Sequence, residues 1–309
     1  MKSRLGGERA YTAGLARFFA SGAGVAVPIG DDAAVVRNRG RESVLCVDPV
    51  VEGVHFTAAD DPALVGRKVV NRNLSDLAAM GAVPDWLLVS LLLPHGTKAA
   101  RRDALMRGIR AAARAGGAAV VGGDVSATRG PLVVTVAAVG HLAGRALERR
   151  AARAGDTIHV TGALGGSRLG SHLRFRPHLA EGRWLATRVP GIGAAMDVSD
   201  GLLLDLATLL EASGGLGAEI DARTVPVSAA ARRLAHGNPA RALRHALCDG
   251  EDHVLLFTLR RGRTLPAGGP LRRTAREPIG TVTREPGLWL RHPDGSRTPL
   301  APTGWQHDV

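Results

Sequence analysis

The chain has 309 residues, with 40 Lys and Arg against 28 Asp and Glu, a formal net charge of +12. Only two cysteines occur, Cys46 and Cys248, far apart and outside any Cys-x-x-Cys, which suits a reducing cytosol and gives no basis for a disulfide or a zinc site. The longest strongly apolar run, residues 86–93, is too short to span a bilayer and reads as a buried strand.

That length predicts two domains sharing an interface, with a core of Ala, Val and Leu because aromatic residues make up only 3% of the chain. The positive charge favours anionic ligands. Its arginines, however, come as scattered pairs (Arg101-Arg102, Arg149-Arg150, Arg232-Arg233, Arg272-Arg273) with no interleaved aromatic residues, which favours a solvated basic surface over a nucleic-acid site. Glu8 and Arg17 interrupt the opening segment, so no secretory signal is expected and the location predicted is cytoplasmic.

In chain order, residues 8–20 have the spacing of an opening helix. Asp31-Asp32 then precede an apolar strand, and residues 43–47 form a second strand ending at Asp48. The apolar positions Leu64, Val65, Val69, Leu74, Leu77 and Met80 predict one amphipathic helix over 62–80, closed by Gly81 and carrying Arg72, Asn73 and Asp76 close together. The strand at 86–93, a helix at 98–115 and a strand from 118 follow. That last strand delivers Asp124 through Gly122-Gly123, where glycines permit close approach of the backbone to a ligand. Residues 132–139 have β-branched strand content, and the composition turns to Gly, Ala and Arg near 140–153, which divides the chain into domains at 1–142 and 143–309. The second half repeats the alternation. It has a strand at 156–161, a Gly-rich turn at 162–167, a short helix at 168–175, and a strand leading into Asp197-Val198-Ser199-Asp200-Gly201. A helix runs from Leu202 until Gly214-Gly215, and two further helices precede Asp249-Gly250-Glu251-Asp252-His253 at the mouth of a strand. Alternating strands and helices place the chain in the α/β or α+β class.

Asp32, Asp48, Asp76, Asp124, Asp197 and Asp200 are each expected at a strand or helix end in Gly- or Ser-bordered sequence, where a scaffold presents ligands. Gathered together, such carboxylates require cations. Mg2+ is the natural one, since it takes carboxylate oxygens and water and is shared with substrate phosphates. Magnesium among carboxylates suggests phosphoryl transfer. The Gly-x-x-x-x-Gly-Lys-Ser/Thr, Gly-x-Gly-x-x-Gly and protein-kinase motifs are missing, so the residues alone stop at a metal-dependent enzyme of phosphate chemistry.

Several segments together carry a more specific resemblance: Ile29-Gly30-Asp31-Asp32-Ala33-Ala34, Val51-Glu52-Gly53-Val54-His55-Phe56, Asn73-Leu74-Ser75-Asp76, Gly122-Gly123-Asp124, Asp197-Val198-Ser199-Asp200-Gly201-Leu202, Gly250-Glu251-Asp252 and Gly304-Trp305. In this order, along nearly the whole chain, they resemble the thiamine-monophosphate kinases of the aminoimidazole-ribonucleotide-synthetase-like ATP-binding superfamily. The resemblance implies a two-domain fold, a homodimer paired through its N-terminal domains, and Mg2+-dependent transfer of the γ-phosphate of ATP to thiamine monophosphate. It implies that Asp32, Asp48, Asp76, Asp124, Asp197 and Asp200 hold magnesium, with Asp76, Asp124 and Asp200 catalytic. Arg149 and Ser199 would contact ATP, and His55, Glu251 and Trp305 thiamine monophosphate. The sequence departs from that family at Cys46-Val47, where Ser or Thr is usual, and at Asp249 and His253, where Gly and Tyr are typical. Other readings are an aminoimidazole ribonucleotide synthetase, or a sensor that binds nucleotide or thiamine phosphates without turnover.

Overall fold

The computed structural model describes residues 25–27, 31, 34–38 and 41–306. The helix expected at 8–20, and Asp32, lie outside them. Two sheets carry the chain. The first consists of β1 (Val25–Val27), β2 (Ala34–Asn38), β3 (Arg41–Val51), β4 (Ala82–Pro94), β5 (Ala119–Thr128) and β6 (Val133–Leu142), in the spatial order β1-β2-β3-β6-β4-β5. Its pairs are antiparallel except β4 with β5, which a helix, α2 (Ala99–Ala115), connects.

The second sheet contains β7 (Thr157–Val160), β8 (Ile192–Asp197), β9 (Gly217–Asp221), β10 (Leu255–Leu259), β11 (Gly280–Thr283), β12 (Gly287–Arg291) and β13 (Arg297–Leu300). Their order is β13-β12-β9-β11-β7-β10-β8, with β9 and β12 the parallel pair. Around it stand α3 (Leu179–Arg188), α4 (Leu202–Ala212), α5 (Ala229–Leu234), α6 (Pro239–Cys248) and α7 (Arg273–Arg276).

Between the sheets runs α1 (Pro62–Ala79), packed on β3, β4 and β6 of the first sheet, on β8 of the second, and on α2 and α3. Local chemistry fixes its ends. Asp61 caps the start by accepting the Ala63 N–H at 2.9 Å, Pro62 supplies a preset φ in the first turn, and Gly81 takes the left-handed φ of 72° beyond the end. The helix is not the amphipathic one its apolar spacing predicts. Lys68, Asn71, Asn73 and Ser75 are buried along with Val65, Val69, Leu74 and Leu77, because the face turned from the first sheet is covered by the second half of the chain.

Strand limits depart from expectation at two carboxylates. Asp48 lies inside β3, not at its end, since pairing with β6 continues to Val51↔Val133. Pro49 lies opposite Thr135 of β6, and among the described residues β2 pairs with β3 only as far as Leu45. Asp124 likewise lies within β5, opposite Ser90. The helix expected at 168–175 is two 3-10 turns, Ser167–Leu169 and Ser171–Leu173, separated by Gly170 at φ 112°. The sequence reading had no counterpart for α3. Gly182 argues against a helix interior, yet it is needed there, because a Cβ at that position would lie 2.0 Å from the Ala78 carbonyl of α1.

Candidate active site

The polar side of α1 ties three chain segments together. Asn73 donates from Nδ2 to the Val69 carbonyl at 2.9 Å and accepts the Asp48 N–H on Oδ1 at 3.0 Å, while the Cys46 thiol donates to the Asn73 carbonyl at 3.4 Å. These bonds seat the helix on β3 beside Asp48. Two residues on, the Ser75 hydroxyl donates to Asp197 Oδ2 at 2.7 Å, seating the same helix on the end of β8. The Asp48 carboxyl also feels the Asp76 side chain and the charge of Asp197.

So β3, α1 and β8 place Asp48 within electrostatic reach of Asp76 and of Asp197, from the two sheets and the helix between them. Burial raises the Asp48 carboxyl above its ordinary value, with Arg72 opposing and Asp197 adding to the rise. For Asp197, burial pushes upward too, but hydrogen bonds and charge from His253, with the Ser75 hydroxyl and Arg149 behind them, bring the net shift below the ordinary value. The His253 ring stacks on Phe175 at 4.1 Å, and its Nε2 is buried with no hydrogen-bond partner.

Carboxyls this close share either a proton or a cation. Among the described residues no group of three His, Cys, Asp or Glu side chains forms a ready-made metal cage. The carboxylates present are oxygen donors of the kind a hard ion such as Mg2+ takes, one or two at a time beside water and phosphate oxygens. The donor set, all oxygen, fits magnesium and not zinc.

Asp200 leads into α4. Its N–H and that of Gly201 both donate to Asp205 Oδ2, at 3.0 and 3.1 Å, so Asp205 closes the helix start. Gly201 is at φ 119°, and a Cβ there would lie 2.7 Å from the Cys248 carbonyl, so the Asp200 turn and the 249–253 loop can touch only with glycine. The two loops are then zipped by Glu251 N–H to the Ser199 carbonyl at 2.6 Å and His253 N–H to the Val198 carbonyl at 2.8 Å. The C-terminal stretch joins them through Trp305 N–H to the Asp200 carbonyl at 2.8 Å, and the Arg168 guanidinium lies 5.3 Å from the centre of the Trp305 ring.

The structure links His55 and Glu251, residues of opposite halves, through a residue the sequence reading passed over. Lys68, fully buried, donates to the His55 carbonyl at 2.7 Å and reaches Glu251 Oε1 at 2.6 Å. Arg72, one turn on, stands 3.9 Å from both Glu251 Oε1 and Asp48 Oδ2. Burial lowers the Lys68 amine, with Glu251 opposing, and burial works to raise Glu251, yet the Lys68 ammonium brings its carboxyl below the ordinary value. A sequence signal existed: a lysine among Val65, Val69 and Val70 at helical spacing must find a buried anion.

Arg149 is part-buried, its N–H donating to Asp31 Oδ2 at 3.0 Å and its Nε 3.6 Å from Asp31 Oδ1. Arg150 points outward to Glu148. Asp124, by contrast, is exposed on β5, where Ser126 Oγ donates to it at 3.0 Å.

Residues 30–142 match the family described as AIR synthase related protein, N-terminal domain. The thiamine-monophosphate kinase of Rhodopirellula baltica is 38% identical over 92% of each chain, and that of Aquifex aeolicus 32% identical over 90% of this chain and 92% of its own. Among solved structures, AaThiL complexed with AMPPCP and TMP superposes with a TM-score of 0.85 at 29% identity, covering 100% of this chain and 99% of its own. The hydrogenase maturation protein HypE in complex with ATP, 19% identical with a TM-score of 0.70 over 90% of this chain and 89% of its own, shares the fold.

Proposed function

The chain belongs to the thiamine-monophosphate kinase family and is an ATP-dependent kinase, and from that premise we propose that it transfers the γ-phosphate of ATP directly to the phosphate of thiamine monophosphate, giving thiamine diphosphate and ADP with Mg2+. The observation that carries this reading is α1 itself, which gathers Asp48, Asp76 and Asp197 and, one to two turns earlier, ties His55 to Glu251. Carboxylates for a metal and groups for an organic cation thus meet along one helix. The AaThiL complex holds AMPPCP and TMP together, which supports two such subsites here.

In this reading Asp32, Asp48, Asp76, Asp124, Asp197 and Asp200 hold magnesium, which when bound neutralises the phosphate oxygens. Arg149 and Ser199 contact ATP. Glu251, kept ionised, complements the cationic heterocycle of thiamine monophosphate, Trp305 offers it a flat face, and His55 contacts the same molecule. The attacking phosphate oxygen is already anionic, so these residues need only bring two anions into line and exclude water. Residues 1–142 act as the ATP, metal and dimerisation domain and 143–309 as the domain that completes the site. A homodimer is supported by Val47, Trp86 and Leu88 exposed on the outer face of the first sheet, continuous with β5, the edge strand among the described residues. Reliance on ATP fits a cytoplasmic enzyme.

The test is thiamine diphosphate formation by Asp76→Asn in Mg2+ beside wild type in Mg2+ and in EDTA. A fall on the order of 100-fold or more, with an unchanged thermal melt, is expected for the variant, and loss of product in EDTA restored by Mg2+. Near-normal turnover would remove Asp76 from the metal set.

A further inference from the structure

Of all the buried ionisable groups in the described residues, Lys68 has the largest side chain with no exposure, and the transfer chemistry gives it no part. Its amine lies where two segments from different sheets converge. On one side is the 51–56 turn after β3, closed on itself by Gly53 N–H to the Phe56 carbonyl at 2.8 Å and by Val51 N–H to His55 Nδ1 at 3.1 Å. On the other is the 249–253 loop, in which Glu251 and His253 adopt left-handed φ values of 61° and 50°, uncommon for side-chain-bearing residues. The hydrogen bond and the ion pair of Lys68 span the two.

We infer that Lys68 is a positioning residue for the thiamine-monophosphate end of the site, fixing Glu251 and the His55 turn in register across the two halves. The inference rests on the assignment of His55 and Glu251 to that substrate. Both ion pairs to Glu251 fall on Oε1, which leaves Oε2 for a ligand. The strained backbone at Glu251 needs an outside restraint, and a buried ammonium at 2.6 Å is one. A lysine placed only for stability would be a poor choice, because its desolvation offsets much of what the ion pair contributes. The side-chain contacts of Lys68 run to His55 and Glu251, whereas Arg149 is held by Asp31 and Ser199 meets Glu251 only through a main-chain bond, its carbonyl accepting the Glu251 N–H at 2.6 Å. Its loss therefore acts first on the thiamine-monophosphate side, where the freed side chain of Glu251 lies.

The experiment compares Lys68→Met, Glu251→Gln and the double variant with wild type in steady-state kinetics, varying thiamine monophosphate and ATP separately, with thermal melts alongside. Lys68→Met is expected to raise KM for thiamine monophosphate on the order of 10- to 100-fold, because it leaves the Glu251 carboxylate without its buried partner, with KM for ATP within about twofold. Equal rises for both substrates, or a lower melting temperature with both KM values unchanged, would overturn the positioning role. Should Lys68→Met alone fail to fold, the double variant, which leaves no lone buried charge, carries the test. A KM for thiamine monophosphate above that of Glu251→Gln is then expected, with KM for ATP unchanged. Equality with Glu251→Gln, or a parallel rise for ATP, overturns the inference. Wild type that turns over ATP but not thiamine monophosphate would instead strike the substrate assignment, and Lys68 with it; that outcome shows in the wild-type arm before any variant is read.

Discussion

The Asp252 carboxyl accepts the Gly165 N–H on both oxygens, at 3.0 and 2.9 Å, and burial pushes its pKa up to about 8, the Gly165 bond opposing and Asp249 adding to the rise. Its folded value lies above its unfolded one, so its contribution to stability is complete below about pH 4 and is lost as pH rises toward 8. Asp252→Asn, a neutral isostere, should therefore gain stability relative to wild type as pH rises, with a larger melting-temperature advantage near pH 8 than near pH 5. An equal difference at both values would contradict the protonated carboxyl. At this scale Asp76 is marked in the sequence by the Ser beside it, whereas Asp48 and Asp197 are brought into relation with that helix only by the fold, through the electrostatics of Asp48 and the Ser75 hydroxyl. Asp205 gives no such signal, because it looks like an ordinary first-turn acid until the elements that bury it are in place, and the apolar neighbours of Lys68 call for an anion without saying that it is Glu251.

The helix α1 was legible in its limits and not in its surroundings. Asp61, Pro62 and Gly81 are local signals, whereas burial on nearly every face depends on α3, β8 and the 249–253 loop, which lie a hundred or more residues further along the chain. Strand limits were less legible for a related reason: a strand lasts as long as its partner does, and β6 carries β3 past Asp48. The edge strand β5 matters most at this scale. Val121 and Val125 are 58% and 64% exposed on the strand that ends the first sheet among the described residues, a surface that another copy of the chain would cover in the proposed dimer. Val121→Asp should leave the melt unchanged and convert a dimer of twice 32.1 kDa into a monomer in sedimentation. A wild-type monomer, or a variant that stays dimeric, would contradict that use of the edge.

Across the whole molecule, the two sheets have separate cores joined by one helix. Val44, Leu87 and Val136 pack with Leu74 and Leu77 on one side, while Ala78 and Ala79 meet Leu185, Ala195 and Phe257 on the other. The proposed site therefore lies at the seam, and in that proposal each half supplies groups the other lacks: Asp48 and His55 from the first, Asp197 and Glu251 from the second. Such a division suits an enzyme that must hold two anionic substrates end to end. The mixed α/β class and the restart of the alternation after residue 153 were visible in periodicity, but the mostly antiparallel pairing of both sheets was not, since period alone is silent on strand order. No helix among the described residues is long and apolar enough to cross a membrane.

The most direct measurement is ADP release by the purified chain with ATP and Mg2+, comparing thiamine monophosphate with unphosphorylated thiamine. ADP formed with the monophosphate and not with thiamine is the expected result, because the acceptor in this account is a phosphate oxygen held beside the Asp48, Asp76 and Asp197 cluster. ADP released equally with both, or with neither from protein that still binds ATP, would contradict it.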